Sequence, residues 1–385
     1  MSRAPLSQAD LARLMKPTGE AGGLPRAAYV DRDFLAAENE RLFARRWVCV
    51  GLVEDVAEPG SVRPVTAAGR SLILLRDLDG TIRVFHNFCR HRGMRLIDEA
   101  ATGQRAILCR YHSWSYGLDG ALLKTPHVAG IDRHDRAGLP RELPGLAPVR
   151  FALWGPLVFV DLSGAAPPFE TYIAPLARRW KDYDFSVLKR GESLRYEIAC
   201  NWKLAIENFI DIYHVPYVHP GLNGYCAMKD HYLVADNDVF MGQGLEAYAP
   251  EDAAAGALPS FPGLGPKAIS RMEAFGVFPN LCMTLFHDNL RIILVEPDGP
   301  ARCTERVEVF LVDSAATDPA LAAMRKTLVD RFREFNAEDI GILEALQRSF
   351  ETTAWDGGAF TPVLDAMVHR FQRLIATALT EDGAA

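Results

Sequence analysis

The spacing of apolar positions changes character several times along the chain, and each change predicts an element. Residues 1–25 read as a short helix followed by a Gly-rich flexible segment. DRDFLAAENERLFARRW, from Asp31, is a helix capped at Asp31 or Asp33, with Phe34, Leu42, Phe43 and Trp47 as its packing residues. From Val48 to about Leu162 the pattern shortens. Apolar runs such as SLILLRD and TIRVFHN are separated by AEPG, DLDG and GLDG turns, and WGPLVFVDLSG closes the series, so this stretch reads as a small all-β domain. A Pro-rich joint then leads into the helix APPFETYIAPLARRWKDYD. Residues 190–310 mix strands (SLRYEIAC, NLRIILVEP, RVEVFLV) with a helix from about Trp202. ATDPALAAMRKTLVDRFREFNAED through LQRSF, and then FTPVLDAMVHRFQRLIATAL, are helical. The expected class is α+β in three parts: residues 1–47 as a helical segment packing on the last part, 48–165 as the β domain, and 166–385 as the α+β domain.

Composition adds boundaries. With 385 residues, 49% hydrophobic and 24% charged, the chain is long enough for two domains with proper cores. A net charge of −7 gives no reason to expect nucleic acid or an anionic membrane as partner. No stretch approaches eighteen apolar residues, and the N-terminus has no apolar run of signal-peptide length, so a cytoplasmic protein is expected. Cys49, Cys200, Cys226, Cys282 and Cys303 show no paired spacing, which fits reduced, mostly buried thiols.

Two clusters carry chemistry. In the first, Cys89-x-His91 is followed after seventeen residues by Cys109-x-x-His112. Two thiolates and two imidazoles can hold a structural zinc, or a [2Fe–2S] centre in which two His replace two Cys on one iron. A zinc finger usually presents its cysteines together and its histidines together. Here each short loop supplies one of each, an order suited to clamping two irons. The second cluster is Asp211-x-x-His214-x4-His219. On one continuous helix His214 and His219 would stand roughly 140° apart and could not share a metal. Pro216 is expected to distort the helix and swing His219 back beside His214. Two His and a carboxylate would make the facial triad of a non-haem Fe(II) site, with positions left open for oxygen.

The flanking residues, HRG after His91 and YHSW with a Gly-Leu-Asp-Gly turn after His112, resemble the Rieske non-haem iron oxygenases, α-subunit family. Arg110 and Ser113 depart from its usual Pro and Gly, which bears on loop rigidity and cluster potential. Glu207, Asn208, Asp211, His214 and His219 match the family's second motif, and FNAEDIGILEALQRSF matches the helix that supplies its third iron ligand. The resemblance covers roughly residues 30–380. It implies a Rieske [2Fe–2S] domain before a catalytic domain with a central antiparallel sheet flanked by helices. It implies Cys89, His91, Cys109 and His112 as cluster ligands, and His214, His219 and Asp339 on a mononuclear Fe(II). Glu338 competes with Asp339, and Glu344 follows five residues on. Read without the family, Glu338, Asp339 and Glu344 are the solvated face of a helix whose apolar face is Phe335, Ile342, Leu343 and Leu346. The resemblance gives Glu207 and Asn208 catalytic duties, and makes Asp211 a bridge from His214 to a Rieske histidine of a neighbouring subunit in a head-to-tail homotrimer.

The expected activity is O2-dependent hydroxylation of an aromatic or related ring compound. The alternative substrate is a quaternary or methylated amine, since ENF-x-D-x-YH resembles the choline and carnitine oxygenases; a plain electron carrier would need nothing beyond residue 165. No flavin or nicotinamide Gly fingerprint is present, so an NAD(P)H-dependent reductase, with or without a ferredoxin, is the expected electron source. A β subunit is compatible with the resemblance. Phe209, Tyr213, Tyr217, Tyr225, Cys282 and Phe286 are the candidate substrate-pocket residues.

Overall fold

The computed structural model describes residues 5–380 other than 138, 140, 224–225, 249–257 and 353. The chain divides into two compact units: Phe43–Ala166 forms one, and the residues up to Leu42 together with those from Pro167 onward form the other. Among the described residues no helix is long and apolar enough to cross a membrane.

The Phe43–Ala166 unit is built from three antiparallel three-stranded sheets. Their orders are Val48–Leu52, Leu157–Asp161, Arg150–Trp154; then Val62–Ala67, Arg70–Arg76, Ile82–His86; then Ile107–Leu108, Ser115–Tyr116, Leu122–Lys124. Turn chemistry sets the registers. Ala67 pairs with Arg70, leaving Ala68 and Gly69 as a two-residue loop with φ of 50° and 67°, the mirror-image turn that matches strand twist. DLDG and GLDG form matching turns, with Gly80 at φ 87° and Gly120 at φ 88°; each Gly amide donates back to the first turn residue, Asp77 or Gly117. The core gathers Ile73, Leu75, Phe85, Ile107, Trp114 and Leu118, and Cys89 and Cys109 are buried within it.

The second unit is organised by a seven-stranded antiparallel sheet. Its spatial order is Leu188–Ile198, Cys303–Val312, Asn289–Pro297, Leu281–Leu285, Met272–Val277, Phe240–Leu245 and His231–Val234. Four of these strands, between 231 and 285, were not read from the sequence. Met272–Val277 and Phe240–Leu245 are buried at every position, so they carry no polar alternation to betray them. The helix Phe169–Arg179 serves one face, where Trp180 stacks on Phe275 at 5.7 Å. The helix Trp202–Ile210 lies on the other face, so close that a side chain at Gly276 would meet Ile210 at 2.7 Å. Two buried bonds to Glu38 hold its first turn: Lys203 Nζ donates at 2.7 Å and Trp202 Nε1 at 3.0 Å.

Three expectations are corrected here. The Gly-rich stretch after residue 20 is packed, not flexible. Ala21 to Leu24 are buried, and a side chain at Gly23 would meet the carbonyl of Gly357 at 2.6 Å. The helix from Asp31 does not run unbroken to Trp47; Arg32–Glu38, capped by Asp31, widens into a π-helical turn over Asn39–Phe43. In the long helix Ala322–Thr352 the buried stripe is Val329, Asn336, Leu343, Gln347 and Phe350. Ile342 and Leu346 are 42% and 40% exposed, so they are not its packing face. Polar Gln347 takes that place because the chain needs its amide there: Gln347 accepts from Asn201 N at 2.9 Å and donates to Tyr29 O at 3.1 Å.

Candidate metal centres and active site

In the β unit the two Cys-His loops are built alike. Cys89 donates its amide to Met94 O at 2.7 Å and accepts from Gly93 N at 2.9 Å; Cys109 donates to Trp114 O at 2.8 Å and accepts from Ser113 N at 3.0 Å. The residue four after each cysteine turns left-handed, Gly93 at φ 73° and Ser113 at φ 56°. Ser113 therefore adopts the conformation for which the family ordinarily uses Gly, with the steric cost a Cβ carries there. Arg110, the other departure, reaches outward to an exposed ion pair with Asp98 at 2.9 Å.

These loops bring both imidazoles together. The rings of His91 and His112 lie 4.6 Å apart edge to face, and His91 stacks on Trp114 at 4.8 Å. Partial burial, then the His112 and Arg92 charges, push the His91 pKa down, toward the neutral form a metal requires. The Tyr116 hydroxyl accepts from Arg90 N at 3.0 Å, which leaves its proton for Cys89 Sγ at 3.2 Å. A thiolate with a donor, a second buried thiolate and two imidazoles toward solvent fit a His-ligated [2Fe–2S] centre.

The second site is made from helix ends. Trp202–Ile210 stops at Asp211, whose backbone is extended at φ −84°, ψ 130°. The Asp211 carboxylate then caps the next turn, accepting from Tyr213 N at 2.7 Å and His214 N at 3.3 Å. A new one-turn helix, Val215–Val218, follows with His214 as its N-cap and His219 as its C-cap. Pro216 thus corrects the expected kink: it sits in the first turn of a fresh helix, where a missing N–H costs nothing. This turn, not a bent helix, sets the two Nε2 atoms 3.3 Å apart.

Asp339, on the long helix, brings Oδ1 to 3.0 Å from His219 Nε2 and 3.5 Å from His214 Nε2. Asn208 donates to the same oxygen at 3.2 Å. The outer ring nitrogens are also engaged: His214 Nδ1 lies 3.2 Å from Asp211 Oδ2, and His219 Nδ1 lies 2.6 Å from Glu338 Oε2. With protons on both Nδ1 atoms, two imidazole lone pairs and a carboxylate face one point. That arrangement is repulsive unless a cation fills it. Ligand bonds of roughly 2.1 Å at right angles put donors about 3.0 Å apart, so the triad has facial-ligand dimensions. Burial opposes protonation of His219, but hydrogen bonds to Asp339 and Glu338 prevail and leave its pKa raised.

The triad opens on a cavity of about 170 Å³ lined by Phe209, Cys282 and Phe286, as expected, and also by Asn208, Tyr248, Phe335, Asn336, Arg291 and Glu305. Tyr213 and Tyr217 are outside the lining, 40% and 75% exposed, which corrects their assignment. Tyr225 lies outside the described residues. Glu207 points away from the cavity, accepting from Tyr29 Oη at 2.9 Å and Gln372 Nε2 at 3.0 Å, and burial raises its pKa to about 7. Glu305 was missed. Its signal was present, since it falls in phase with Val307, Val309 and Leu311 on one face of a strand. Burial raises Glu305 to about 7, Asn336 opposes the rise and the Asp339 charge adds to it.

A small β unit with a mixed Cys-His loop pair and, in the same chain, an α+β unit with a two-His, one-carboxylate triad define an iron oxygenase that receives its electrons through a [2Fe–2S] centre. The Rieske [2Fe-2S] domain model matches residues 46–135, and the model of the ring hydroxylating alpha subunit catalytic domain matches residues 185–381. The chain belongs to the ring-hydroxylating alpha subunit family of Rieske oxygenases, whose members bind the [2Fe–2S] cluster and mononuclear non-haem iron and draw electrons from a reductase or ferredoxin. Choline monooxygenase of Arabidopsis thaliana is 28% identical over 376 residues, covering 93% of this chain and 83% of its own. The large oxygenase component of salicylate 5-hydroxylase from a Ralstonia species is 35% identical over 205 residues, 51% of this chain and 48% of that one. A solved quaternary ammonium Rieske monooxygenase has the same fold, with a TM-score of 0.78 at 21% identity over 97% of this chain and 98% of its own.

Proposed function

We propose that Cys89, His91, Cys109 and His112 hold the cluster, and that His214, His219 and Asp339 hold the iron at which this protein hydroxylates a small organic substrate. The observation that carries the reading is the convergence of two Nε2 atoms and Asp339 Oδ1 at 3.0–3.5 Å on the wall of a largely apolar cavity. When bound there, iron supplies the site at which O2 is reductively activated. The chain supplies the rest. Glu338 and Asp211 fix the ring orientations, Asn208 steadies Asp339, and the apolar lining holds the substrate against the open side. Glu207 acts from outside the cavity, bracing the helix against Tyr29 and Gln372.

Asp211 is placed for a further duty, passing electrons to His214 from a cluster histidine of a neighbouring copy in a homotrimer. Supporting this, the solved quaternary ammonium monooxygenase of the same fold is described with inter-subunit electron transfer. The upstream donor would be an NAD(P)H-dependent reductase, alone or with a ferredoxin. Between the two substrate classes, the buried carboxylate of Glu305 in the lining favours a methylated amine over an aromatic ring. Metal analysis of anaerobically purified protein tests the reading: one more iron than acid-labile sulfide per chain is expected. Stoichiometric zinc without sulfide would overturn it.

A further inference from the structure

We propose that Glu305 is a seat for the substituted ammonium group of the substrate, making this cavity selective for an organic cation. The inference rests on the reading of the cavity as the substrate site.

Glu305 is 5% exposed on the strand Cys303–Val312, where it pairs with Val295. Its face continues through Val307, Ile293 and Cys282, the face that lines the cavity beneath the iron-site helix. Glu305 Oε2 receives no hydrogen bond from any described residue. Asn336 lies close enough to ease the charge of the ionised carboxylate, but its own Nδ2 is likewise left without a hydrogen bond among the described residues, so the ionised Oε2 is incompletely matched and the protonated one is a buried donor without an acceptor. Water can satisfy it in the resting cavity. A substrate that displaces this water must replace what the water did, and a hydrocarbon ring cannot. A positive charge can.

Two further features place the cation at the iron end. Glu305 is near enough to Asp339 for that charge to act on it, whereas Arg291 and Arg331 act on Tyr248. Arg291 pairs with Val309, four residues along the strand from Glu305, a run of roughly 14 Å. Its guanidinium is stacked over Phe286 at 4.6 Å. The cavity is thus polarised, negative beside the triad and positive at the far end. An aromatic acid laid in it would set its carboxylate at Arg291 and its ring against Glu305, leaving that oxygen unmatched. A quaternary ammonium has no N–H to donate, and the aromatic lining of Phe209 and Phe335 supplies the faces on which such a group is held.

The test is calorimetric titration of the anaerobic, metal-loaded protein with choline, with 3,3-dimethylbutan-1-ol, which has the same shape without the charge, and with salicylate. Wild type is expected to bind choline at least about tenfold more tightly than the neutral analogue, and more tightly than salicylate. Glu305→Gln should abolish that preference while changing affinity for the neutral analogue by no more than about threefold, and Glu305→Asp should restore part of it. Equal affinity in wild type, an undiminished preference in Glu305→Gln, stronger binding of salicylate, or binding of none of the three would each overturn the inference. Iron content and the cluster spectrum, recorded on the same samples, separate the failures. Protein lacking either metal centre refutes the oxygenase reading, whereas fully loaded protein without the preference refutes only the role of Glu305.

Discussion

The two proposed metal centres share imidazole ligands but are positioned by different physics. In the β unit, each Cys-His pair sits in a loop whose shape is closed by its own backbone: the cysteine amide bonds five residues ahead and its carbonyl accepts from four residues ahead, in both loops. Residues within six positions determine each half of the site. In the α+β unit, the histidines are held at the two ends of a single helical turn, and the carboxylate arrives from a helix 120 residues later. Local loops make a site that tolerates change elsewhere. A site assembled from helix ends depends on every contact that fixes those helices, from the Lys203–Glu38 pair to Gln347.

The largest effect expected from this contrast is at Asp339. Asp339→Ala should lose mononuclear iron and reduce turnover to below about 1% of wild type, while the cluster spectrum survives because the two sites share no ligand. Iron-to-sulfide ratio and visible absorption read this directly; loss of both signals would show the units to be coupled. Asp211→Asn should follow. It keeps one acceptor, for the short bond from the Tyr213 amide, and gives up the oxygen that faces the His214 amide and ring, so both metals and the oligomer should persist, while electron delivery to the iron slows by about a hundredfold or more. Single-turnover reoxidation of the prereduced cluster is the measurement, and a wild-type rate would remove the bridging role.

Glu338→Ala should be milder, lowering iron affinity by roughly 10–100-fold through the loss of the bond that orients His219, with activity recovered in excess iron. If added iron rescued Asp339→Ala and not Glu338→Ala, the two assignments would be exchanged. Glu207 offers a pH test. Its folded pKa, about 7, lies above the ordinary carboxylate value, so the folded state holds the proton more tightly than the unfolded one. Its contribution to stability is present below the unfolded value and lost as pH rises through about 7. Glu207→Gln should flatten that loss, by about 1–3 kcal/mol between pH 5 and 8 in denaturant titrations. The smallest effect belongs to the cluster loops. Ser113→Gly should stabilise the β unit by about 1 kcal/mol by relieving a left-handed backbone, and Gly93→Ala, where a Cβ meets nothing within 4 Å, should cost about as much.

The amino-acid sequence by itself determined the β unit's turns, its four Cys-His residues and the presence of a two-His motif, because each is encoded within a few neighbouring positions. DLDG and GLDG specify their turns through a Gly at positive φ, and the mixed Cys-His order survives any arrangement of the rest of the chain. The sequence also pointed to Asp339 through its family pattern. It could not separate Asp339 from Glu338 on physical grounds, since adjacent residues on a helix differ by about 100° and only the packed direction of that helix says which carboxylate faces Nε2 and which faces Nδ1. Helix periodicity misled in the same region. Ile342 and Leu346 fit an apolar stripe, yet Gln347 is buried because distant backbone groups at Asn201 and Tyr29 require a partner. The tertiary structure alone decided that Pro216 starts a helix instead of bending one, that Tyr213 and Tyr217 face outward, and that Glu305 lines the cavity. Each of these depends on what lies opposite a residue across the fold, a contact between segments far apart in the chain, which no local pattern of residues can specify.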